Sequence, residues 1–109
     1  MSPIYEQLKH NLTLLCNRNG YALAVHGSLI KDLDLVAIPF QMRCLKKDTL
    51  FAKVDETISA NKVGPLTQKA FGRTAKMYYL DDFHCVDFSI VGFDESSIEN
   101  IFKGKKNGN

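Results

Sequence analysis

Three aspartates lie in two hydrophobic segments, where acidic residues are unusual. Asp32 and Asp34 open the apolar segment 32–40, and Asp87 lies in the middle of the apolar segment 84–91. Alternate residues of a strand share one face, so Asp32 and Asp34 are expected to project together. Like charges side by side are unfavourable unless a cation lies between them. We therefore predict a divalent metal site, which Asp87 completes if its strand is adjacent. The alternative is solvent-exposed acids on partly exposed strands.

A Gly-Ser turn, Gly27-Ser28, comes shortly before the first two acids. Glycine has no side chain to block a ligand, and such a turn offers backbone N–H groups and a hydroxyl to a phosphate. Mg²⁺ usually binds one or two protein carboxylates and keeps room for waters and phosphate oxygens. A phosphate site and a metal site would therefore lie within one turn of each other, as phosphoryl transfer requires. The alternative is an ordinary surface loop.

Two basic residues are candidates for neutralising phosphate charge. Lys31 lies between the turn and the acids, and Arg73 begins a later predicted strand. Arginine presents a planar fork that matches phosphate geometry, and lysine acts as a point charge. The alternative for each is a solvated surface cation.

These residues together resemble a known family. Gly27-Ser28, Asp32-Leu33-Asp34 and Val86-Asp87-Phe88 are similar to the signature of the nucleotidyltransferase superfamily related to DNA polymerase beta. The resemblance covers residues 21–93, and segment 26–40 is similar to small stand-alone members from phages and prophages. It implies an enzyme that uses Mg²⁺ or Mn²⁺ to transfer a nucleoside monophosphate from a nucleoside triphosphate to a hydroxyl acceptor. The implied metal-binding and catalytic residues are Asp32, Asp34 and Asp87, with Gly27 and Ser28 on the terminal phosphates.

The spacer after the Gly-Ser turn favours a second hypothesis. Only residues 29–31 separate Ser28 from Asp32, whereas many active members of the superfamily have a longer segment that begins a helix. Three residues cannot form a stable helical turn. The alternative function is an inactive or slow nucleotide-binding or regulatory module, similar to an antitoxin, that acts with a partner protein or as a homodimer. A purely structural domain is the third option. The acceptor stays open among a protein, a nucleic acid and a small molecule.

Length and composition bound these hypotheses. The 109 residues suffice for one hydrophobic core but not for two, and the net charge of +2 is too small to indicate an extended nucleic-acid surface. The three cysteines form no C-x-x-C pair, so they are expected to be small buried hydrophobes and not zinc ligands. No apolar segment is long enough for a membrane span and no signal peptide is evident, so we expect a cytoplasmic protein without a membrane partner.

Periodicity and turn residues predict a single α+β domain over residues 1–104. The expected architecture is a mixed sheet of about four strands, with helices mainly on one face and the acids on the other. Helices are predicted over 3–18 and 48–60, with a short third helix starting at Ser96 and ending at Gly104. Strands are predicted over 21–26, 32–40, 73–80 and 85–92. Residues 61–67 with Phe71-Gly72 are predicted to form a mobile flap over the acids, and 105–109 a disordered tail.

Overall fold

The computed structural model describes residues 2–26 and 32–92. Within these ranges the chain forms two α-helices and six β-strands. They are, in order, α1 (Pro3–Arg18), β1 (Tyr21–Val25), β2 (Asp32–Pro39), α2 (Lys47–Thr57), β3 (Lys62–Val63), β4 (Thr67–Lys69), β5 (Arg73–Tyr79) and β6 (Cys85–Ile90). No helix in these ranges has the length and apolar character needed to cross a membrane. The predicted third helix and the predicted tail lie outside the described residues.

The strands form one mixed sheet in the order β1-β2-β6-β5-β3, with β4 also paired to β5. Strands β2 and β6 are parallel, and the other pairs are antiparallel. The α+β class is as predicted, but the prediction of about four strands was too low, because β3 and β4 were missed. These two strands are short and exposed, so they carry no alternating apolar pattern.

The segment predicted to be a flap is an edge of the sheet. Asn61 N–H donates to Tyr79 O and Gly64 N–H donates to Met77 O, each at 2.8 Å. The segment therefore runs antiparallel to β5, with a break at Gly64-Pro65 where proline cannot donate to the ladder. The turn into β5 contains Phe71 in a left-handed conformation, with φ of 64°. These residues therefore extend the sheet beyond β5.

One face of the sheet packs against both helices, and its residues alternate with the acids. The buried apolar residues of the two central strands are Leu33, Leu35, Ala37, Val86, Phe88 and Ile90. Phe51 of α2 packs edge-to-face on Phe88, with ring centroids 5.9 Å apart. Since successive strand residues point to opposite faces, burying these apolar side chains forces Asp32, Asp34 and Asp87 onto the other face.

Helix α1 begins where the sequence predicts. Ser2 accepts a hydrogen bond from Tyr5 N–H at 3.4 Å, and Pro3 occupies the first turn, where its missing N–H costs nothing. The buried residues of α1 are Tyr5, Leu12 and Cys16. Ile4 is 41% exposed, whereas Tyr5 is 3% exposed, because the Tyr5 ring packs edge-to-face on His84.

Candidate functional site

The register of β2 and β6 brings two of the predicted acids together. Asp34 lies directly opposite Asp87, and Asp32 lies directly opposite Cys85. All four residues are partly buried on the face away from the helices. The strand from which Asp87 projects is thus adjacent to the strand of the other two acids. We refer to Asp34 and Asp87 as the acid pair.

The acid pair holds unfavourable negative charge. Burial raises the pKa of Asp34 above its usual value, and the nearby carboxylates of Asp87 and Asp32 raise it further. His26 and Arg73 lower the same pKa, but they do not cancel the increase. Ionised carboxylates that are both partly desolvated and close together favour a bound cation or proton. The electrostatics therefore support the predicted role in binding a cation.

A cavity of about 220 Å³ adjoins the acid pair. Its lining consists of His26, Asp34, Leu35, Val36, Arg73, Asp87 and Ser89. Beside the acid pair, three neighbouring strands place small side chains next to one another. Val36 of β2 lies opposite Ser89 of β6, and Ser89 lies opposite Ala75 of β5. Carboxylates and a guanidinium thus line the same small space. Such a cavity suits a ligand that carries a cation and an anion together.

Arg73 places a guanidinium in the lining of this cavity. Its Nε is buried and has no hydrogen-bond partner within the described structure. Lys69 lies directly opposite Arg73 on the neighbouring strand, and like charges in that arrangement are unfavourable without an anion. Residues 57–80 contain four basic residues and no acidic residue. A buried donor without an acceptor carries a desolvation cost that a phosphate oxygen would remove.

Within the described residues the three predicted carboxylates do not form one metal-binding group. Across residues 2–26 and 32–92, no three His, Cys, Asp or Glu side chains are grouped closely enough to hold one metal ion. The carboxylate of Asp32 instead accepts a hydrogen bond from Cys85 Sγ at 2.9 Å. Mg²⁺ commonly uses only one or two protein carboxylates and fills its remaining positions with waters and phosphate oxygens. The acid pair therefore fits Mg²⁺ or Mn²⁺ in the presence of a phosphate ligand.

Most of the predicted site residues that the structure describes lie around one cavity. Asp34, Asp87 and Arg73 line it, and Asp32 lies on the same face next to Asp34. The predicted phosphate-binding residues Gly27, Ser28 and Lys31 lie outside the described residues.

Two polar neighbours of these acids, Cys85 and Ser89, were not predicted from the sequence. Each lies two residues from Asp87 in the same strand, and this spacing places them on the face of the acids. The cysteine was expected to be merely apolar.

No family model, curated protein or solved structure matches this chain.

We expect the metal-free protein to lose stability as the pH rises through the ionisation of Asp34. Because the folded-state pKa of Asp34 is raised, the folded protein binds this proton more tightly than the unfolded chain does. The resulting stabilisation is complete below the unfolded pKa and is lost as the pH rises through the folded pKa. Asp34→Asn removes this titration. Thermal unfolding from acidic to neutral pH should therefore show the variant gaining stability relative to wild type, whereas the exposed control Glu56→Gln should show no such trend.

Proposed function

We propose that this protein binds a nucleoside triphosphate through a divalent metal ion and transfers its nucleoside monophosphate to a hydroxyl acceptor. The observation that carries the proposal is the cavity lined by both the acid pair and Arg73. A metal-bound polyphosphate brings the cation that the acids require and the anion that the guanidinium requires. The resemblance of the motif residues to the nucleotidyltransferase superfamily, including its phage-type members, supports the same chemistry.

Each of the predicted site residues has a role in this proposal. Asp34 and Asp87 hold the Mg²⁺ or Mn²⁺ ion, and Asp32 is the third predicted ligand. The bound ion supplies Lewis-acid polarisation of the phosphoryl oxygens. Arg73 donates from its buried Nε and its planar fork to phosphate oxygens. Gly27, Ser28 and Lys31 remain predicted phosphate contacts.

The proposed transfer is an in-line displacement. The acceptor oxygen forms a bond to the α-phosphorus, and the bond from that phosphorus to the bridging oxygen of the β-phosphate breaks. Pyrophosphate leaves with the electron pair, and the proton of the acceptor hydroxyl passes to a carboxylate oxygen of Asp87. Arg73 neutralises charge that develops on the departing phosphates.

A second candidate function is a nucleotide-binding or regulatory module without turnover. It is favoured by the hydrogen bond between Cys85 and Asp32. With Asp32 so engaged, two carboxylates remain to bind metal, whereas phosphoryl transfer with two metal ions uses more ligands. The short spacer between Ser28 and Asp32 favours the same candidate. In this case a partner protein or a second copy of the chain supplies the remaining surfaces.

Calorimetric titration with nucleoside triphosphates tests the shared first step. Wild-type protein is expected to bind them only with Mg²⁺ or Mn²⁺ present. Arg73→Ala is expected to weaken that binding by about tenfold or more, as loss of a charge-assisted hydrogen bond does. The matched control is Lys53→Ala, an exposed cation on α2 on the other side of the sheet, which should bind like wild type.

A pyrophosphate-release assay with hydroxyl acceptors then separates the two candidates. Release that requires Asp87 supports the transferase, whereas metal-dependent binding without release supports the regulatory module. Wild-type protein that binds no nucleotide in the presence of metal would contradict both.

A further inference from the structure

Cys85 makes a specific contact with one of the predicted metal ligands. It begins β6 directly opposite Asp32, which begins β2, and both side chains lie on the acidic face. Cys85 Sγ donates to Asp32 Oδ1 at 2.9 Å. The contact is a hydrogen bond from a thiol to a carboxylate.

The position of Cys85 is fixed from the helical side of the sheet. Its backbone N–H donates to the hydroxyl oxygen of Tyr5 at 2.9 Å. Tyr5 belongs to α1, is 3% exposed and is part of the hydrophobic core. A hydrogen-bonded connection thus runs from the core, through Cys85, to the carboxylate of Asp32. The thiol holds that carboxylate from an anchored position.

The hydrogen bond from Cys85 engages one of the three predicted ligands. Asp32 shares a face with Asp34, yet the described residues contain no set of three side chains able to hold one ion. One oxygen of Asp32 is engaged by the thiol, and a metal ion must compete with that hydrogen bond for the carboxylate.

We propose that Cys85 is a positioning residue that holds Asp32 away from the acid pair and thereby sets how many carboxylates meet the metal ion. The inference rests on the proposed function, because it takes the acid pair to be a metal site. With the hydrogen bond in place, the ion meets Asp34 and Asp87. Without it, Asp32 turns towards the ion and adds a third carboxylate.

Titration of the full chain with Mn²⁺ alone tests this proposal. The readout is the electron paramagnetic resonance signal of free Mn²⁺. Cys85→Ala removes the donor and is expected to tighten Mn²⁺ binding by about tenfold, in the range by which contacts to metal ligands change affinity. Cys85→Ser keeps a donor and is expected to bind like wild type. Cys44→Ala controls for loss of a thiol elsewhere and should leave the affinity unchanged.

A double-mutant cycle with Asp32→Asn isolates the contact itself. In the Asp32→Asn background, Cys85→Ala is expected to have no further effect, because no carboxylate is left to release. Unchanged or weaker binding by Cys85→Ala overturns the proposal, as does tightening that persists in the Asp32→Asn background. If wild-type binding is lost in Asp87→Asn but Cys85→Ala is neutral, only this inference fails. A wild-type protein that binds no Mn²⁺ overturns the proposed metal site together with the inference.

Discussion

Asp87→Asn is expected to weaken Mn²⁺ binding by about 100-fold or more, because even residues that only orient metal ligands change affinity by 10- to 100-fold. In the metal-free protein the same substitution is expected to raise stability. Asn preserves the shape of the side chain and removes one of two charges that face each other across β2 and β6. Relief of a like-charge cross-strand pair contributes up to about 1 kcal/mol. The substitution thus has effects of opposite sign on binding and on stability.

Metal titration and thermal unfolding of the same Asp87→Asn preparation measure these two effects. Asp82→Asn is the matched control, since Asp82 is exposed in the turn before β6 and should change neither quantity. A metal-free Asp87→Asn protein that is less stable than wild type, yet still binds Mn²⁺ with wild-type affinity, would show that Asp87 is a structural residue.

Phe88→Ala is expected to have the largest effect on stability. Phe88 is fully buried, and its ring packs edge-to-face on Phe51 of α2. Truncation of a buried phenylalanine costs about 3–5 kcal/mol, through lost transfer free energy and the cavity left behind. Since small domains are stable by only about 5–15 kcal/mol, the variant should unfold at much lower denaturant concentration. The effect is large because Phe88 projects from β6 on the face of the sheet that packs against the helices.

Chemical denaturation of Phe88→Ala and Phe83→Ala makes this comparison with the residue type held constant. Phe83 is 85% exposed, so its truncation is expected to change stability by no more than about 0.5 kcal/mol. Equal losses in the two variants would contradict the described burial of β6.

Elements with strong local signals were predictable from sequence. The Ser2-Pro3 start of α1 and the apolar alternation of β2 and β6 gave elements that agree with the structure to within a few residues. Short edge strands were not predictable. β3 and β4 together contain five residues, all exposed, and they are strands because β5 offers them a ladder. That partner is a tertiary feature, which local propensity does not encode.

For the candidate site, the sequence predicts which strand face each acid occupies, but it does not predict which residues lie beside that acid on the neighbouring strand. A period of two assigns Asp32 and Asp34 to one face of a strand, and it assigns Asp87 to one face of another. The pairing of those strands joins residues more than 50 positions apart and depends on how Phe88 and Leu35 pack on the helices. The contact of Cys85 with Asp32 requires that same register, so no local pattern could indicate it.

The place of β6 in the sheet also constrains how the chain folds. It is the last strand of the described chain, yet it lies between β2 and β5. Before β6 inserts, the β1–β2 pair is separate from the group formed by β3, β4 and β5. Each of these two parts then has an unpaired strand edge to which another chain can add. Closing a parallel pair across so much intervening chain is slow compared with forming a local hairpin. We therefore expect newly made or refolding molecules to pass through a stage prone to aggregation, which ends when the central strand inserts and creates the acid pair.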